Sequence, residues 1–202
     1  MLNAPSPSQN HWFSASNPLT ALLPHYTEPE QLAGDLAFNP LKDLDISTLA
    51  FTEIDELLVG EKTPLEPTTQ MMRTALTWHG MLHAGLRRRN PQIAKARQLY
   101  WEAVTHKPNG KTHPFSTPSR GISVQVVKGT TGTGKSVTRD RFCELFPQVI
   151  RHGENSTSGW KAMTQLVYLE VSISHDGSRG GFLTNILMQM DLALGTSYSV
   201  DY

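Results

Sequence analysis

Nine consecutive residues, Gly129 to Val137 (GTTGTGKSV), are of the types and spacing that grip a phosphate. Gly129, Gly132 and Gly134 let the backbone pass close to an anion, with Thr130, Thr131 and Thr133 between them. Their N–H groups, and those opening the helix that should follow, converge on phosphate oxygens. Lys135 stands where an ammonium reaches the β- and γ-phosphates of a triphosphate, and Ser136 where a hydroxyl can ligate Mg²⁺. The spacing G-x-x-x-x-G-K-S is that of a phosphate-binding loop, which needs a strand before it and a helix after it. The expected nucleotide-binding residues are therefore Gly129, Thr130, Thr131, Gly132, Thr133, Gly134, Lys135, Ser136 and Val137. Lys135 is the catalytic candidate and Ser136 the Mg²⁺ ligand.

Hydrolysis asks for more than a cradle. It needs an acid to organise Mg²⁺ and a group to orient water. Only "LVYLE", Leu166 to Glu170, approaches the usual apolar strand ending in an acid. Glu170 reads better as an ordinary strand residue, since Val171 to Ile173 continue the apolar run. In "SHDGS", Ser174 to Ser178, His175 adjoins Asp176. An acid–base or metal role stays open there beside the plainer reading of a turn, for which Asp-Gly is a signal. Trp160 and Lys161 fit either a partner surface or packing, and Cys143 a helix core.

The elements that would position these residues follow from pattern. "ISVQVVKG" reads as a buried strand feeding the loop, and "KSVTRDRFCELF" as a helix ended by Pro147. "QVIRH" is a strand candidate, "ENSTSGWKAMT" a surface loop, and "LVYLEVSI" a further strand. "GGFLTNILMQMDLALG" is a helix with Leu183, Ile186, Leu187, Met190 and Leu194 on one side, stopped by Gly195. This alternation predicts an α/β domain with a largely parallel sheet. Upstream, "TTQMMRTALTWHGMLHAGLRRRNP" predicts a helix capped by Thr68 or Thr69, with Met72, Ala75, Leu76, Leu82 and Leu86 inward. Asn90 and Pro91 should cap and open a second helix running to about His106. Lys107 to Gly121 reads as a loop. Shorter helices are expected near 28–37 and 53–59, and residues 1–18, with Trp12 and Phe13, read as disordered or loosely docked.

Formal charge is zero over 202 residues, yet unevenly spread. Residues 1–60 carry one Lys against eight Asp or Glu, and residues 61–120 carry ten Lys or Arg against three Glu. An acidic leader before a basic middle suggests separate interaction surfaces. Arg87, Arg88 and Arg89 suit either DNA phosphates or the negative end of a helix dipole. No apolar run is long enough to span a bilayer, and the N-terminus lacks a signal-peptide pattern. With a single cysteine, a cytoplasmic setting and no membrane partner are expected.

"VVKGTTGTGKSVTRDRFCELFPQVIRHGE" and "QLVYLEVSISHDGSRGGFLTNILMQMDLALGTSY" resemble the TnsC/TniB family, AAA+ ATPases that regulate bacterial DNA transposition. The matching text includes Pro147–Ile150, Leu166–Ser172, His175–Ser178 and Leu194–Tyr198, and "EPTTQMM…MLHAGLRRRNP" is similar to the family's helical lead-in. The resemblance covers roughly residues 62–202. It implies ATP and Mg²⁺ as cofactors and assembly of a homo-oligomeric ring or filament on double-stranded DNA. It also implies a link between a target-selector protein and the transposase. The division it suggests is an acidic N-terminal segment (1–60), a helical lead-in (61–120) and the N-terminal part of a P-loop AAA+ domain (121–202). In that family the magnesium-organising acids follow the "LGTSY" point, so the expectation is a partial chain that binds nucleotide without turnover alone. Two other readings stay open: a nucleotide-binding interaction module and a P-loop phosphotransferase.

Overall fold

The computed structural model describes residues 17–39, 42, 45–59, 64–105 and 123–197. Expectations for the first sixteen residues, Trp12 and Phe13 among them, and for the Lys107–Gly121 loop lie outside these. In chain order the elements are α1 (Pro29–Leu36), a 3₁₀ turn (Ile46–Thr48), α2 (Phe51–Val59), α3 (Thr69–Arg88) and α4 (Ala94–Thr105). Then come α5 (Lys135–Glu144), β1 (Val149–His152), β2 (Met163–Leu166) and α6 (Arg179–Leu194). They fall into two compact units, one of residues 24–81 and 124–146, the other of the remaining chain.

In the first unit, α1 opens on Pro29, whose missing N–H has no helical partner to lose. It buries Leu32 and Leu36 and packs on α5. Arg141 of α5 closes its far end. The guanidinium donates to the carbonyls of Leu36 at 3.3 Å, Asp35 at 3.3 Å and Ala37 at 3.4 Å. Carbonyls at a helix C-terminus lack intrahelical partners, and α1 has no basic residue in its own last turn. The same guanidinium lies 5.0 Å from the centre of the Phe38 ring and pairs with Glu144. In α2, Glu53 accepts from the Ala50 N–H at 2.8 Å, as a capping-box acid does.

Thr68 caps α3, its hydroxyl accepting from the Met71 N–H at 3.3 Å. The inward stripe in this unit is Met71, Thr74, Ala75 and His79. Trp78 meets Phe142 edge-on at 5.4 Å, and Phe142 lies 5.0 Å from Phe146. Tyr26 donates its hydroxyl to Asp35 at 2.9 Å, and burial first, then that carboxylate, push its phenol above its ordinary value. Residues 124–128, expected in a buried strand, belong to no ladder, and Val124 is 79% exposed.

In the second unit, the Asn90 side chain accepts the Gln92 N–H at 3.0 Å and its carbonyl the Ile93 N–H at 3.0 Å. A turn therefore occupies Asn90 to Ile93, and α4 starts at Ala94 rather than Pro91. The asparagine's local bond outcompetes a cap for a longer helix. β1 and β2 pair antiparallel, from Val149 opposite Leu166 to His152 opposite Met163. The ten intervening residues, 153–162, are too few for a parallel crossover, which takes about a dozen or more. They fold instead through an Asn155–Trp160 bridge, with Asn155 Oδ1 accepting the Ser158 N–H at 2.9 Å. The second strand thus ends at Leu166, where the sequence pattern would have begun it. Among the described residues the sheet is this pair. Buried Gln165 donates to the Leu19 carbonyl at 3.0 Å and sits 2.8 Å from His152 Nε2. Buried Asn17 donates to the Leu86 carbonyl at 3.2 Å.

Ser178 caps α6 by accepting from the Gly181 N–H at 3.0 Å, and Gly195 ends it in the left-handed region. The apolar side expected of α6 is present in sequence but none of its residues is buried. No helix among the described residues is long and apolar enough to cross a membrane.

Candidate functional site

Gly129 to Gly134 form an irregular loop that turns directly into α5, whose first residue is Lys135. Two of its glycines have positive φ, +84° at Gly132 and +77° at Gly134. L-residues with a side chain rarely adopt that region. Gly134 also has a neighbour. A Cβ there would lie 2.9 Å from the Met71 methyl. The positive φ favours glycine at 134, and a Cβ there would also make the Met71 methyl shift.

The lysine is folded over the loop. Its ammonium donates to the carbonyls of Gly129 at 2.9 Å and Thr130 at 2.6 Å, and lies 3.2 Å from Thr133 Oγ1. Thr133 donates in turn to the Thr130 carbonyl at 2.9 Å. A positive charge is thereby held at the mouth of a loop that leads into a helix N-terminus, where N–H groups lack helical acceptors. Charge and dipole act in one direction, toward an anion. Ser136 and Val137 sit in the first turn and are exposed; Thr130 and Thr131 are exposed in the loop.

Beside the loop lies a cavity of about 230 Å³, open to solvent. Lys128, Gly129, Thr133, Lys135 and Thr138 line it on the loop side. Gln70, Met71, Thr74 and Trp78 of α3 line the other. Among the described residues, no Asp or Glu lines it. The four α3 residues escape sequence reading because they lie about sixty positions from the loop. A helical stripe of Met, Thr and Trp reads only as a core face.

The remaining candidates take other roles. Glu170 is exposed and lies beyond the end of β2. Asp176 accepts the Ser178 N–H at 3.0 Å and Gly177 adopts φ +63°, so "SHDGS" builds the turn that starts α6. That backbone bond, then the Ser178 and Ser174 hydroxyls, lower the Asp176 carboxyl to about 2. Trp160 pairs with Asn155 in the hairpin loop, its ring 6.1 Å from His152. Cys143 is half-buried in α5. Arg87 and Arg88 occupy the last turn of α3 and Arg89 follows it, all in the unit that does not hold the loop.

No sequence profile of a known protein family matches the chain, and no curated protein matches it.

Proposed function

We propose that this protein binds a nucleoside triphosphate with Mg²⁺ at Gly129–Val137. The observation that carries the reading is the placement of the Lys135 ammonium, 2.6–2.9 Å from two loop carbonyls, over a glycine loop that opens α5. Phosphate oxygens replace those carbonyls as acceptors for Lys135, and the loop N–H groups complete the cradle. Ser136 supplies the Mg²⁺ ligand. ATP is the nucleotide that the motif resemblance implies.

The described lining holds two ammonium groups, hydroxyls and apolar surface, a set suited to gripping a polyphosphate rather than to turning it over. None of these lining groups is a carboxylate that could hold the ion's far side. In the wider role, carried by the ordered motifs of residues 62–202, the protein regulates DNA transposition. It assembles on double-stranded DNA when ATP is bound and connects a target selector to the transposase. The fold belonging to that role is a P-loop AAA+ sheet, and Arg87, Arg88 and Arg89 are its candidate phosphate contacts.

Calorimetric titration with MgATP tests the first step. Lys135→Ala removes a charge-assisted contact worth about 1.5–3 kcal/mol, so affinity should fall about tenfold to a hundredfold. Equal affinity of variant and wild type would refute the site. Salt-sensitive duplex binding that requires ATP would support the wider role, and binding indifferent to both would exclude it.

A further inference from the structure

The cavity beside the loop has two walls of different chemistry. Its volume, about 230 Å³, falls below the ~300–1,000 Å³ that holds a whole small ligand. It seats part of one. The loop wall carries Lys128 and Lys135, groups suited to phosphate; the α3 wall carries an indole, a thioether, an amide and a hydroxyl, groups suited to a heterocycle.

The hydroxyls have fixed roles. Thr74 Oγ1 lies 2.9 Å from the Gln70 carbonyl, and Thr138 Oγ1 lies 2.7 Å from the Gly134 carbonyl. A carbonyl only accepts, so both hydroxyl protons are committed. Toward a ligand, each oxygen can offer lone pairs alone. Both residues are at least 95% buried and line the cavity. A base with an exocyclic amine can donate to their hydroxyl oxygens. A base with a keto group at the same position presents lone pairs to lone pairs, which leaves polar groups unpaired. Gln70 is exposed at the rim and brings an amide that can serve both a ring nitrogen and an amine. Trp78 is half-buried and steadied edge-on by Phe142, which fixes an aromatic surface in the cavity wall.

We infer that Gln70, Thr74 and Trp78 are the base-reading residues of the site, and that they select an amino-substituted nucleobase, adenine, against its keto counterpart. This rests on the triphosphate reading of Gly129–Val137. Trp78 supplies stacking, Thr74 with Thr138 supplies acceptors for the amine, and Gln70 closes the rim.

The test titrates the full chain with the magnesium complexes of ATP, of ITP, in which a keto group replaces the amine, and of inorganic tripolyphosphate. ATP should bind about tenfold or more tightly than ITP, an interval of about 1.4 kcal/mol. Thr74→Val keeps the shape and removes the acceptor, so the ATP-to-ITP ratio should fall several-fold. Trp78→Ala should weaken ATP and ITP together by about tenfold, as loss of a stacking aromatic does. Tripolyphosphate affinity should be unchanged in both variants, which also reports an intact loop. ATP and ITP binding alike to the wild type would overturn the inference while tripolyphosphate binding left the loop reading standing. An ATP-to-ITP ratio unmoved by Thr74→Val would overturn the assignment to that hydroxyl. Binding of none of the three compounds would overturn both readings.

Discussion

Replacing Gly134 by alanine separates two forces that the loop combines. At φ +77° any L-residue bears the left-handed penalty, about 1–2 kcal/mol. The added Cβ would also lie 2.9 Å from Met71 Cε, closer than real carbon contacts allow. Met71 is only 7% exposed and its sulfur accepts the Thr68 N–H at 3.5 Å, so its methyl, the end of a flexible side chain, must turn toward the neighbouring cavity to make room. Displacing that side chain from its rotamer adds about 0.5–1.5 kcal/mol. Gly134→Ala should therefore destabilise by about 1.5–3.5 kcal/mol, a sizeable share of the roughly 5–15 kcal/mol typical of a domain.

Gly132 provides the internal control. Its φ is +84°, yet a Cβ there meets nothing within 4 Å. Gly132→Ala should lose only the conformational part, about 1–2 kcal/mol. Urea denaturation of both variants, read by tryptophan fluorescence and circular dichroism, gives the two numbers. A cycle with Met71→Ala isolates the contact: in that background the Gly134→Ala cost should shrink toward the Gly132→Ala value. If Gly134→Ala costs no more than Gly132→Ala, or if removing the Met71 side chain leaves its cost unchanged, the methyl contact is not what excludes a side chain at 134.

Two further side chains have defined outcomes. Arg141→Ala removes the donor shared by the carbonyls of Asp35, Leu36 and Ala37 and the contact with the Phe38 ring, a loss of about 1–3 kcal/mol; amide exchange across Pro29–Phe38 should accelerate, and Arg141→Lys should not restore it because one ammonium cannot span three carbonyls. The Asp176 carboxyl, lowered to about 2 chiefly by the Ser178 N–H, favours the folded state once it is ionised: its contribution is complete above the unfolded carboxyl's value near 4 and disappears as pH falls through about 2. A carbon-detected NMR titration of Asp176 with a midpoint near 4, or an Asp176→Asn variant as stable as wild type at neutral pH, would count against that assignment.

What the sequence disclosed about this molecule was local. The start of α5 at Lys135, the cap of α3 at Thr68, one of the two threonines expected there, and the stop of α6 at Gly195 each depend on neighbours within a few residues, and each is found where the pattern puts it. Distances across the chain left no such trace. Arg141 reads as one more charge on a short helix, although it caps the end of a helix whose Leu36 carbonyl lies 105 residues away in sequence. The apolar pattern places a further strand at "LVYLEVSI", but pairing is decided by the partner. β1 has four residues, and the Asn155–Trp160 turn delivers 163–166 to them. Leu166 closes that ladder opposite Val149, and the apolar run after it has no strand beside it among the described residues.

The same distinction bears on the site itself. In the proposed site the grip on an anion comes from backbone N–H groups and one ammonium that are close neighbours in sequence, so it is local by nature. It does not specify which molecule carries the anion. That information must come from whatever the fold brings alongside, and α3 is what lines the cavity beside this loop. Met71 ties the two together, since it lines the cavity and its methyl fills the space that a side chain at 134 would need. Even a small movement of α3 would therefore change both the room available to Gly134 and the position of Trp78 and Thr74. Removing the Met71 side chain, which touches both the loop and the cavity, should alter phosphate affinity and base preference together, whereas changes at the exposed Ser136 should alter only the Mg²⁺-dependent part. Measuring tripolyphosphate and ATP affinity for Met71→Ala and Ser136→Ala distinguishes the two patterns: coupled losses in the first and a Mg²⁺-dependent loss in the second follow if α3 is a structural part of the site, and an unchanged ligand profile in Met71→Ala would refute it.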